Sequence, residues 1–314
     1  MFRCLLCLLL LGGPALAQKN VLVVTAGSGD YLMATGGTLA LLIDQGYSVY
    51  VLQVANDEKN SIGLTPAQTR LANNEEGGQA ARMLGIKEVL NLNHKSGELS
   101  QVSSNEMRNQ IMALIRFHKP QIIFHPDPWV HYEPDWDQFW ASRAAEESSY
   151  GSSNYFLAEI GRMGFPGFGV SETYYYAPHR PYRPGEGGHQ AAKFRSFDIT
   201  PVFNRKVAAI QALRAVNHRY AVDVKRRLDL AGRGSPLLRE INEAATRALI
   251  RAYVEELAET IGAKHGFRFG EEFNFHGRGD PVPAHVRERA KPIDRKSTRL
   301  NSSHSRASRM PSSA

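Results

Sequence analysis

The run Val21-Leu22-Val23-Val24-Thr25 leaves the fold little freedom. Five consecutive apolar or β-branched residues read as a strand covered on both faces. The chain then turns through Gly27-Ser28-Gly29-Asp30 and enters a helix by way of Gly36-Gly37-Thr38. The same alternation repeats downstream. Residues 36–45 read as helix ending at Gly46, and 48–55 as a second apolar strand. Thr65-Pro66 opens a helix that Gly85 closes, with Pro66 suited to the first turn. Residues 87–92 are a third strand. Ser103-Ser104-Asn105-Glu106 has capping-box spacing ahead of a helix with Met107, Ile111, Leu114 and Ile115 on one face. Residues 120–125 are a fourth strand.

Strands alternating with helices at this spacing predict an α/β fold, a Rossmann-like three-layer αβα sandwich with a mostly parallel sheet. Right-handed crossovers favour the strand order 3-2-1-4-5, which sets the first and fourth strands side by side. The loops after Thr25 and after Phe124 are then expected to meet at the switch point, where open α/β sheets bind ligands. Beyond residue 150 the texture changes. Residues 151–170 read as an irregular surface segment, 172–176 as strand, 178–190 as a polar loop and 193–199 as strand. Residues 201–220 read as one amphipathic helix. Ser235-Pro236 is expected to start a long helix with Leu237, Ile241, Ala245, Leu249 and Val254 on its core side.

The termini are expected to lie outside this fold. Met1-Phe2-Arg3, the apolar run 4–11 and Ala15-Leu16-Ala17 read as a cleavable signal peptide over residues 1–17, which predicts a secreted or periplasmic protein without a transmembrane anchor. The only cysteines, Cys4 and Cys7, lie in that segment, so disulfides and Cys-ligated metals are not expected in the mature chain. The folded domain is drawn at 18–280 and a disordered tail at 281–314, of which 295–314 reads as a sequence artefact. Those last residues include Arg295, Lys296, Arg299, Arg306 and Arg309, five of the seven net positive charges. Without them the chain is close to neutral, and nucleic acid is not an expected partner.

The densest chemistry lies in residues 125–138, directly after the fourth strand. His125, Asp127, His131, Glu133, Asp135 and Asp137 are possible ligands on a loop at the carboxyl edge of the sheet. The bland alternative is a solvated turn punctuated by Pro126, Pro128 and Pro134. Aromatics nearby, Tyr31, Trp129, Tyr132, Trp136 and Trp140, suit stacking on sugar rings or ordinary packing. A Gly27-x-Gly29 turn lacks the third glycine of dinucleotide binding, because Leu32 stands there. Ser28 is not in a nucleophile elbow.

Ala26-Gly27-Ser28-Gly29-Asp30-Tyr31 followed by Gly36-Gly37-Thr38-Leu39-Ala40 resembles the A-H-P-D-D-E turn and G-G-T-L-A helix entry of the PIG-L/LmbE family of zinc-dependent N-deacetylases. The similarity continues through Glu76, Ala80-Ala81 and Leu84-Gly85, and through Gly97 and Leu99. It extends to Tyr174-Tyr175-Tyr176, to Asp198-Ile199-Thr200 with Lys206, and to Phe269-Gly270-Glu271-Glu272-Phe273. It implies hydrolysis of an N-acetyl group on a sugar or other small polar substrate, with zinc as cofactor. The metal would be held by the His and second Asp of the first motif and the last His of a second motif, H-P-D-H, while the first Asp acts as base. Matched residue by residue, Gly27 stands for the first His, Gly29 for the base and Asp30 for the ligand Asp. Glu133-Pro134-Asp135-Trp136 stands for the second motif, so Trp136 replaces its ligand His. An indole offers a donor and no lone pair to a metal. One carboxylate is not a zinc site, so activity is expected to be lost or much reduced. The expected pocket comprises Asp30, His125, Asp127, His131, Glu133, Asp135 and Trp136. The alternatives are a carbohydrate- or small-molecule-binding pseudoenzyme, and a hydrolase or hydratase with a metal site rewired from Asp30, His125, His131 and Glu133.

Overall fold

The computed structural model describes residues 19–130, 135–153, 156–186, 193–277 and 284–291. The expected signal peptide and the tail beyond 291 lie outside them. A seven-stranded, mostly parallel sheet flanked by helices forms the body of the molecule. Its elements run β1 (Asn20–Thr25), α1 (Ser28–Asp44), β2 (Ser48–Ala55), α2 (Pro66–Leu84), β3 (Glu88–His94), α3 (Ser104–His118), β4 (Ile122–Pro126), α4 (Trp136–Gly151) and α5 (Ala158–Arg162). They continue through β5 (Glu172–Tyr176), β6 (Lys193–Asp198), α6 (Phe203–Gln211), α7 (Arg214–Leu230), α8 (Glu243–His265) and β7 (Gly270–Gly277). A separate unit begins at Gly279, of which α9 (Ala284–Arg287) is described.

The sheet order is β3-β2-β1-β4-β5-β7-β6, so the expected 3-2-1-4-5 core is present with two strands added. β5 pairs parallel to β4, whereas β7 is antiparallel to both β5 and β6. β1 shows why its apolar run specifies the centre of the sheet. Val21 and Val23 join a core beneath α1, α2, α6 and α8, while Leu22 and Val24 join a second beneath α3 and α4. Each face buries alternate residues of the 21–24 run, and the buried polar residues Asn20 and Thr25 stand at the two ends of the strand.

Several local readings change. The first helix begins at Ser28 rather than near Gly36, which places Asp30 in its first turn. The single helix expected over 201–220 is broken at Ala212-Leu213 into α6 and α7. The long helix expected from Ser235 starts only at Glu243, where the Asn242 side chain accepts from the Ala245 N–H. Thr65 and Gln68 close a complete capping box at the start of α2, and Gly85 ends that helix with φ +89°. Ser103 caps α3 without a side-chain hydrogen bond.

Much of the pattern that resembles the deacetylases is structural. Glu76 Oε1 accepts from Arg214 Nε at 3.1 Å and its Oε2 from Ala215 N at 2.9 Å, which anchors the start of α7 on α2. Asp137 accepts from the backbone N–H groups of Gly97 and Leu99, tying the 97–99 loop to α4. Tyr176 donates to the Val24 carbonyl across β4.

Candidate functional site

α1 and α4 start beside one another at the carboxyl edge of β1 and β4. α1 has no capping side chain of its own, since Gly27 precedes it. Asp57, just beyond β2, fills that role. Its Oδ2 accepts from Ser28 N at 2.8 Å, and its Oδ1 accepts from Asn60 Nδ2 at 2.8 Å. A carboxylate at a helix N-terminus is favoured by the unpaired N–H groups and the helix dipole. Asp57 is nonetheless almost wholly buried, and burial pushes its carboxyl up to about 6, the Ser28 contacts opposing the shift and the Asp30 charge adding to it.

Asp30 is the centre of the crevice. Its Oδ2 accepts from Gln138 Nε2 of α4, and its Oδ1 contacts His179 Nε2 at 2.9 Å. His179 follows β5 and its side chain is 56 % exposed. Desolvation works against its charged form, but the hydrogen bond and charge of Asp30 with the charge of Asp135 prevail, so the imidazole titrates above its ordinary range. Tyr253 of α8 donates to the His179 carbonyl and fixes its backbone. Asp135 caps α4 by accepting from Asp137 N at 2.9 Å. Burial, then the Asp30 and Asp137 charges, drive its carboxyl upward. Asp30 therefore joins one imidazole and one carboxamide, with Asp57 and Asp135 near enough for its charge to act on theirs. Gln138 Oε1, buried beside Asp30, has no hydrogen-bond partner among the described residues. Groups able to orient a small polar ligand are thus in place.

Among the other described site residues, His125 and Asp127 make contacts of their own. His125 is fully buried in β4, its Nδ1 on the Pro126 carbonyl and its ring edge-on to Tyr175. Burial lowers it to about 4, which keeps it neutral. Asp127 is held by Trp129 N, Tyr182 Oη and Asn274 Nδ2, and braces the loop after β4. Trp136 opens α4 with 59 % of its surface exposed and packs edge-on against Phe139. Tyr31 is core, whereas Trp129 and Trp140 are exposed near α4. His131, Tyr132 and Glu133 lie outside the described residues.

His179 and Gln138 were not singled out in the sequence. A lone His among prolines carries no local signal, and Gln138 sits in the first turn of a helix that the loop-like 125–138 composition hides.

The zinc implied by the resemblance can be tested against this donor set. Catalytic zinc takes three protein ligands and a water. Of the three matching positions only Asp30 carries a donor, and both its oxygens are engaged. A Cβ on Gly27 would lie 2.6 Å from Asp57 Oδ1, so a side chain there requires the Asp57 carboxylate to shift. At the base position, a Cβ on Gly29 would face Val216 Cγ1 and Leu213 Cδ1 at 3.8 and 3.9 Å, an apolar wall. Among the described residues no three His, Cys, Asp or Glu side chains come together as a metal-holding group. The residues at these positions do not fit zinc.

An open α/β sheet with helices on both faces and a polar crevice at the switch point defines the class of protein. Residues 22–138 are a PIG-L family domain, matching the family described as GlcNAc-PI de-N-acetylase. The chain is 28 % identical over 170 residues to diacetylchitobiose deacetylase of Thermococcus kodakarensis, a match covering 52 % of this chain and 61 % of that protein. It is 26 % identical over 216 residues to 4-oxalmesaconate hydratase of Pseudomonas putida, covering 64 % and 75 %. The fold is shared with N,N'-diacetylchitobiose deacetylase from Pyrococcus horikoshii, at TM-score 0.65 and 22 % identity over 83 % of this chain and 85 % of that one. Among the described residues no helix is long and apolar enough to cross a membrane.

Proposed function

We propose that this is an exported PIG-L-type protein whose crevice takes a small polar ligand, such as an N-acetylated sugar, and whose zinc-dependent N-deacetylation is lost or much reduced. The observation that carries the reading is the state of Asp30. The one inherited donor spends both oxygens on Gln138 and His179, while Gly27 and Trp136 supply nothing to a metal. The Gln138 Oε1 acceptor would bind a ligand N–H or O–H group, and the exposed Trp136 and Trp140 rings would stack on a sugar face. Deacetylase relatives acting on diacetylchitobiose support the ligand class.

The test is calorimetry with N,N'-diacetylchitobiose on metal-analysed protein, alongside an assay for released amine. Binding without amine release is the expected result. Stoichiometric zinc with chelator-sensitive release would refute the reading. A second reading, turnover without a metal, is supported by His179. Its Nε2 is held by Asp30, and Nδ1 is the other ring nitrogen, which would take the proton from water. Chelator-insensitive amine release that His179→Gln abolishes would establish it.

A further inference from the structure

The turn between β1 and α1 and the residue after β2 carry complementary oddities. Residue 27 is a glycine although its own backbone is extended, at φ −130° and ψ 170°, a conformation open to any residue. Residue 57 is an aspartate although its φ is +55°, in the left-handed region that favours glycine. The two meet in space. The Asp57 carboxylate occupies the volume that a side chain at 27 would enter, its Oδ1 lying 2.6 Å from a Cβ placed there and its Cγ at 3.5 Å. That carboxylate cannot swing aside cheaply. Ser28 N and Asn60 Nδ2 hold its two oxygens, and Asn73 Nδ2 holds the Asp57 carbonyl at 2.9 Å.

We infer that Asp57 is the positioning residue of this crevice: its carboxylate caps α1 through the space where a side chain at 27 would project, and Gly27 is required by it. This deepens the proposed function and rests on it for its bearing on metal, since position 27 is where the resemblance places a zinc ligand. A protein-borne anion seated on the helix start stands in that place and holds the first turn of α1, and with it Asp30, in register with Gln138 and His179. Restoring histidines at 27 and 136 alone would therefore not restore a metal site. Asp57 has to be removed as well.

The first experiment is a double-mutant cycle on the full chain read by thermal unfolding. Gly27→Ala is expected to lower the melting temperature by several degrees, to do so equally in an Asp57→Asn background, which keeps the volume, and to have little effect in an Asp57→Gly background. An equal penalty in all three backgrounds would overturn the inference. The second experiment measures zinc binding by calorimetry. Gly27→His with Trp136→His is expected to bind no more zinc than the unmodified chain, and adding Asp57→Gly is expected to raise affinity at least tenfold. Tight zinc binding by the two-histidine variant with Asp57 intact would overturn it. Zinc bound by the unmodified chain would refute the proposed function, while the coupling between residues 27 and 57 would stand or fall on the melting data alone.

Discussion

Two buried acidic centres touch α1, and they are built on opposite terms. The one against its middle is closed. Glu271 of β7 accepts from Gly37 N at 2.9 Å, from Thr38 N at 2.7 Å, from Thr38 Oγ1 at 2.6 Å and from Lys206 Nζ at 2.7 Å. Lys206 also donates to the Met33 carbonyl at 2.6 Å. In an uninterrupted helix Gly37 N–H would bond that same carbonyl, so the ion pair is spliced into the helix ladder. Gly37 makes this approach feasible, because a Cβ there would come within 3.0 Å of both Glu271 and Ile199. The centre at the N-terminus of α1 is open. Asp57, Asp30 and Asp135 bond backbone N–H groups, carboxamides and one half-exposed imidazole, and two of the three carboxyls are pushed upward. A carboxylate that holds a fold together is matched to a cation with its lone pairs filled. Those at the crevice are matched to neutral donors and one half-exposed imidazole, and the acceptor left unspent beside them is Gln138 Oε1.

The comparison breaks most visibly at the closed centre. Lys206→Met is expected to cost about 3–5 kcal/mol, because it leaves Glu271 charged and buried. Urea denaturation measures this, and a loss under about 1 kcal/mol would show that water reaches Glu271.

The open centre predicts a pH effect of opposite character. The Asp57 carboxyl stands at about 6 when folded against an ordinary 3.8, so the folded state binds the extra proton. Its contribution is fully present below about pH 4 and is lost as pH rises through about 6, a change on the order of 2–3 kcal/mol. Asp57→Asn should flatten that part of the stability profile between about pH 4 and pH 6. An unchanged slope would assign it to other groups.

Asp30→Asn is expected to cost about 1–2 kcal/mol, since one of its two hydrogen bonds becomes a contact between donors. The same change should lower the His179 titration seen by NMR, because the hydrogen bond and charge that raise it are both weakened. A stabilised variant would instead mark Asp30 as an unpaired buried charge. The smallest effect belongs to Trp136→Ala. With most of its ring exposed, stability should change by no more than about 0.5 kcal/mol, while affinity for an N-acetylated sugar falls severalfold if the ring stacks on it. A loss of stability without a loss of affinity would return Trp136 to the role of packing.

The sequence by itself determined the parallel core of the sheet. Apolar runs at 20–25, 48–55 and 120–125, separated by helical periodicity, favour the observed order of the first five strands, because right-handed crossovers leave few topologies. β7 and its place between β5 and β6 were not legible. Through the family resemblance it also marked Asp30 as the one matched position with a donor and Trp136 as a residue without one, since side-chain chemistry decides what a matched position can offer. Only the tertiary structure decided what surrounds Asp30. α1 begins at Ser28 because a carboxylate 29 residues away caps it, and His179 reaches Asp30 across 149 residues of chain. The two ends of such hydrogen bonds share no spacing or periodicity in one dimension. They meet because β1, β4 and β5 lie side by side and end at the same edge, so the loops that follow them have one crevice in common.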